Sequence, residues 1–89
     1  MTISTDLDHE LRQILADVLG LKPRQVAAFT ADTGLFGHLP ELDSMSVAGL
    51  LTEMEDRFGF IIDDDEVDGE LLESYGSLLA FAEAKLGTD

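Results

Sequence analysis

Apolar side chains at Leu7, Leu11, Ile14, Leu15, Val18 and Leu19 recur at three- and four-residue spacing. That period places them on one face of an α-helix and on no single face of a strand, which commits the start of the chain to a helix with one side to bury. The spacing predicts a helix over residues 6–21, with Ser4, Thr5 and Asp6 as capping candidates and Gly20 and Pro23 closing it. A second stripe, Val47, Leu50, Leu51, Met54 and Phe58, predicts a helix from about Ser44 to Arg57 that stops at Gly59 and packs against the first and last helices. A third, Leu78, Leu79, Phe81, Ala82 and Leu86, predicts a helix ending at Gly87, with turn or cap chemistry over residues 74–77. The strand-like run FGFII, residues 58–62, has no partner elsewhere in the chain and is expected as a packed loop. The acidic segment DDDEVDGELLES, residues 63–74, carries Val67, Leu71 and Leu72 and is expected to form a helical turn or two. The long connection over residues 22–43 must be packed by its own Val26, Phe29, Leu35 and Phe36. The expected architecture is an all-α four-helix bundle with three main helices, one short one and a long first loop.

At 89 residues the chain fits one domain, residues 1–89, since two cores of half that size would bury too little surface to offset folding entropy. Its 19 acidic and 5 basic residues give a formal charge of -14, which repels nucleic acid and anionic membranes and attracts basic protein patches. No apolar run approaches the ~20 residues that span a bilayer, and the N-terminus lacks the pattern of a secretory signal. A soluble, monomeric, cytoplasmic protein is expected. There is no cysteine, so thiol chemistry must be supplied by something other than the chain.

Within the chain, catalytic candidates are few. A serine nucleophile needs a base within reach, and the histidines are His9, on the first helix, and His38, six residues before Ser44. No oxyanion-loop motif accompanies Ser44 and His38, and both histidines read as solvated surface residues. The segment Asp64 to Tyr75 aligns in part with an EF-hand calcium loop, with Asp64, Glu66 and Asp68 at the first, third and fifth positions, Gly69 at the sixth and Leu71 at the eighth. Tyr75 stands where the bidentate glutamate is required, and FGFII makes a poor entering helix, so the segment reads as an acidic helix start. Ser44 itself, behind Asp43, reads from the residues alone as the beginning of a helix.

The order of features sharpens that reading. A helix, a long packed loop, LDSM at a helix start, a second helix ending in RFGF, an acidic segment and a closing SYGSLLAFAEAKL helix together resemble a discrete acyl carrier protein over nearly the whole chain. In that family an Asp-Ser-Leu motif bears a phosphopantetheine arm on the serine. Asp43, Ser44 and Met45 match it, with Met in place of Leu. Phe58 and Ile62 also fit the family's core pattern. The resemblance implies a non-enzymatic carrier that holds acyl groups as thioesters on an arm from coenzyme A. It implies attachment at Ser44 by a phosphopantetheinyl transferase with magnesium, Asp43 helping to position that enzyme and Met45 lying beside the arm.

Partners are expected to be acyl-loading and acyl-transfer enzymes with basic docking patches. Family members usually carry acidic residues two and five positions after the serine, where this chain has Ser46 and Gly49. Docking is therefore expected lower on the domain, at Glu53, Glu55, Asp56 and Asp64, with poor recognition by ordinary fatty-acid synthase enzymes. The run PELDSM is similar to carriers of exosortase and exopolysaccharide loci, and its Asp-Ser-Met also to D-alanyl carriers. Fatty-acid, polyketide and aminoacyl routes, and a cofactor-free acidic or calcium-binding module, are the alternatives.

Overall fold

Helix α1 runs from Ile3 to Leu19 in the computed structural model, which describes residues 3–87. It begins earlier than the sequence predicts, so residues 4–6 lie within the helix rather than ahead of it; the side chains of Ser4 and Thr5 fall outside the described residues. Its stripe behaves as the period requires, with Leu7, Leu11, Ile14, Leu15 and Leu19 buried and Val18 packed against them. The Leu21 amide folds back to the Ala16 carbonyl at 3.0 Å and closes the last turn.

Pro23 does not terminate α1. It opens a second, short helix α2, Pro23–Ala27, at a first-turn position where its missing N–H costs no hydrogen bond. Helix α3 spans Ser44–Phe58 and stops at Gly59, whose φ of 76° only glycine adopts without strain. Helix α4 spans Tyr75–Leu86 with Ser74 as N-cap, its hydroxyl accepting from the Ser77 amide at 3.1 Å. In α4, Leu78 and Ala82 are buried and Leu79 and Phe81 half-buried; Leu86, expected in the stripe, is exposed as the last residue of the helix.

Helix α1 is the hub onto which α2, α3 and α4 each pack. Leu50 and Met54 of α3 are fully buried, with Val47, Leu51 and Phe58 at the margin of the core. The packing of α3 on the last helix, expected to be direct, is mediated by the run after Gly59. The Phe60 ring sits 5.6 Å from Phe58 and 6.4 Å, edge on, from Phe81 of α4. Phe58 closes α3, and residues 59–62 form a packed loop, as the lack of a strand partner predicts, with Ile61 left exposed.

The expected short helix in the acidic segment is a single 3-10 turn, Asp64–Glu66, followed by turns that bury Leu71 and Leu72. Glu66 caps the 3-10 turn reciprocally, while Asp68 takes amides that a continuing helix would use. Glu66 accepts from the Asp63 amide at 2.9 Å, and Asp68 accepts from the amides of Glu70 and Leu71 at 3.1 and 3.0 Å.

Two sets of bonds position the long loop. The amides of Leu35 and Phe36 donate to the carbonyls of Glu73 and Leu72, and those of Tyr75 and Gly76 to Thr33 and Ala31, all at 2.8 to 3.1 Å. The extended pairing this produces is an isolated bridge between Gly34 and Ser74. Deeper, the buried Tyr75 hydroxyl donates to Asp8 of α1 at 2.5 Å, and Arg12 lies 4.8 Å from the Tyr75 ring centroid. Arg12 also pairs with Asp8 at 2.9 Å and donates to the Val26 carbonyl at the end of α2, joining three helices at one point.

Candidate functional site

Local chemistry explains why a helix starts where it does after Leu42. Asp43 has extended backbone, and its carboxylate accepts from the Ser46 amide at 2.9 Å, while its carbonyl accepts the first helical bond from Val47. The Ser46 amide holds the Asp43 carboxyl below the usual carboxylate range. The Ser46 hydroxyl reaches back to the Glu41 carbonyl at 3.1 Å and fixes the approach to the helix. Ser44 is then the first residue of α3, exposed, in the positive field of a fifteen-residue helix.

Two open clefts meet at Ser44. One, about 430 Å³, lies on the loop side and is lined by Phe36, His38, Pro40 and Asp43 among others. The second, about 280 Å³, lies between α3 and the turns before α4, lined by Phe36, Val47, Leu72, Gly69 and Asp68. Phe36 and Ser44 belong to both. The sequence predicts Phe36 inside the loop's own packing; instead Leu35 is fully buried and Phe36 is 47% exposed beside the serine. Their amides bond to consecutive carbonyls, Glu73 and Leu72, so the two neighbours point to opposite sides. Adjacent apolar residues in an aperiodic loop give no signal of which one faces inward.

Met45, expected beside the arm, projects into solvent at 84% exposure. The structure separates the expected docking carboxylates by what already holds them. Glu53 pairs with Arg57 at 2.7 Å, and the same guanidinium reaches Glu10 and Asp17 of α1 at 3.1 and 2.8 Å. Glu55 accepts the Ile62 amide at 2.7 Å and pins the turn after α3. Asp56 and Asp64 are exposed.

The calcium-loop alignment does not become a calcium site. Glu66 is committed to the Asp63 amide and to Lys85 at 2.9 Å, Asp68 caps a turn, and Tyr75 is buried at the start of α4. Among the described residues no group of three or more His, Asp or Glu side chains gathers as metal ligands. His38 is exposed in the loop-side cleft, and His9 is exposed on α1, where neither cleft at Ser44 reaches.

A hydroxyl presented to solvent on the first turn of a capped helix, with an apolar cleft on one side and a more polar one on the other, suits a long covalent arm that starts in a phosphodiester. The family model for the phosphopantetheine attachment site matches residues 9–84, which defines the class: a carrier domain bearing that prosthetic group. An acyl carrier protein of Rhodococcus erythropolis (strain PR4) is 31% identical over 72 residues, covering 81% of this chain and 72% of its own. The solution NMR structure of a holo acyl carrier protein from Nitrosomonas europaea matches with a TM-score of 0.81 at 43% identity, covering 91% of this chain and 95% of that one. The chain belongs to the acyl carrier protein family. It is a carrier rather than an enzyme, and its cofactor is phosphopantetheine.

Proposed function

We propose that the Ser44 hydroxyl is the point of attachment for the phosphopantetheine arm, and that the chain holds acyl or similar carboxylic groups as thioesters for partner enzymes. The observation that carries the assignment is the exposed Ser44 at the first position of α3, behind the Asp43 cap. Nearby Ser46 is a poorer acceptor, being half-buried and bonded to the Glu41 carbonyl. In the transfer the serine oxygen forms a bond to the β-phosphorus of coenzyme A as the bond to the departing nucleotide phosphate breaks. The serine proton leaves to a base on the transferase, since among the described residues no base is bonded to Ser44. Once attached, the arm supplies the thiol that the cysteine-free chain lacks.

The residues around Ser44 have separate tasks in this reading. The first-turn amides of α3 face the phosphodiester and offset part of its charge. Asp43, kept ionised by Ser46, holds that turn in place and presents a fixed carboxylate to the transferase. Met45, exposed one residue beyond Ser44, offers an apolar contact beside the arm and to a docked partner. Asp56 and Asp64 are the docking carboxylates free for a basic patch, whereas Glu53 and Glu55 contribute through the field of their clusters. The run Pro40 to Met45 favours a carrier of the exosortase and exopolysaccharide kind over a fatty-acid or D-alanyl route.

Incubation with coenzyme A, magnesium and a broad-specificity transferase is expected to add one phosphopantetheinyl mass to the wild type and none to Ser44→Ala. An unchanged wild-type mass, or addition that persists in the variant, contradicts the assignment.

A further inference from the structure

The charge around Ser44 poses a problem for a phosphodiester there. Asp43 lines the loop-side cleft and Asp68 the other, while Asp68, Glu70 and Glu73 surround the far side of Phe36. No lysine or arginine lines any of these clefts. The side chain in them that can carry positive charge is His38.

His38 is also held rather than loose. Its amide donates to the Leu35 carbonyl at 2.9 Å, in a turn that the Leu39 amide closes onto the same carbonyl at 2.8 Å. The His38 side chain packs against Gly34: a Cβ built there would stand 2.4 Å from His38 Cγ and Cδ2, closer than any real contact. Gly34 is itself fixed by its bridge to Ser74. The side chain is therefore backed by Gly34, in the cleft that it lines together with Asp43 and Ser44.

We infer that His38, when protonated, is a positioning residue for the prosthetic arm. Its ring N–H donates to a phosphodiester oxygen on Ser44 and draws the first part of the arm into the loop-side cleft. Without the charge on the ring that attraction is lost, and the arm is free to lie along the apolar cleft formed by Phe36, Val47 and Leu72. The inference rests on attachment at Ser44. It differs from the serine–histidine hydrolase arrangement because the histidine here contacts the phosphate and takes no proton from the serine.

The test uses phosphorus NMR of the holo protein across pH about 5 to 8, where imidazole titrates. A phosphodiester has no titration of its own in that window, so a step in its chemical shift must come from a neighbouring group. The wild type is expected to show such a step. His38→Gln is expected to show a flat response, and His38→Lys a flat response displaced toward the low-pH wild-type value. Contacts seen by NMR from the arm's methyl groups should favour Leu39 and Pro40 below the step and Val47 and Leu72 above it. A flat wild-type response, or a step that survives in His38→Gln with its helical circular dichroism intact, overturns the inference. Intact mass separates the two readings: absence of the added arm refutes attachment and this inference together, whereas an arm on Ser44 with no step refutes the role of His38 alone.

Discussion

Asp43 does two jobs with one carboxylate, and pH separates them. Its pKa is lowered chiefly by the Ser46 amide, so the cap adds stability above the unfolded value of 3.8 and loses it as pH falls through the lower folded value. Asp43→Asn, which caps without titrating, should keep the Tm near that of wild type at neutral pH and lose less of it in acid. Asp43→Ala should lower the Tm at neutral pH, and its deficit should shrink as the pH falls below about 4, the ordinary carboxylate range. Thermal melts of the three proteins across pH check this, and an Ala deficit independent of pH would show that the carboxylate's charge plays no part. Asp43 and Ser44 could be found from sequence because capping is local: the donor lies three residues from the acceptor. The exposure of Phe36 and the seating of His38 on Gly34 could not. They depend on which neighbour in a loop without period is drawn toward Leu72 and Glu73, more than thirty residues away.

At the scale of elements, α1 was readable because six apolar residues repeat at one period, and α3 because a stripe ends at a glycine. Helix α2 gave no such signal, since its five residues bury a single side chain, Val26. What fixes α2 is the Arg12–Asp8–Tyr75 junction, whose members lie up to 67 residues apart. Burial and the bond to Asp8 raise the Tyr75 pKa above its ordinary 10. The stability this provides is complete below pH 10 and declines as pH rises toward the folded value, because the unfolded chain ionises first. Tyr75→Phe should cost about 1.5 kcal/mol near neutrality, the low end for a hydrogen bond to a charged group because Asp8 is only half-buried and water can replace the donor. Chemical denaturation measures this, and a loss below a few tenths would remove the junction from the account. In α3, Gly49 is exposed, and a Cβ there would meet nothing closer than Val18 at 3.8 Å. Gly49→Ala should therefore stabilise the domain by about 0.5–1 kcal/mol, which the same titration can read; a destabilised variant would mean that this helix face is more crowded than the structure places it.

The whole molecule sets a general anionic field, yet the solvent face of α3 nearest Ser44 offers Met45, Ala48, Gly49 and Thr52, none of them charged. A negative protein with a neutral face at its loading site attracts basic partners from a distance and gives them few ion pairs on contact. Gly49→Glu restores a carboxylate where acyl carriers usually have one. It should raise the rate of malonyl transfer by a housekeeping malonyl transferase severalfold and make that rate more sensitive to salt. Equal rates for wild type and variant would mean that the neutral face does not limit recognition. The global charge and the missing thiol were visible in composition, whereas the engagement of Glu53 by Arg57 and of Glu55 by the Ile62 amide required the fold. The expectations for the arm and its partners depend on where the arm is joined. Tryptic peptide 25–57 of the holo protein contains both Ser44 and Ser46, and fragmentation mass spectrometry can assign the phosphopantetheinyl group between them. The account predicts that the modification lies wholly on Ser44, and modification of Ser46, or of any residue other than Ser44, would contradict it.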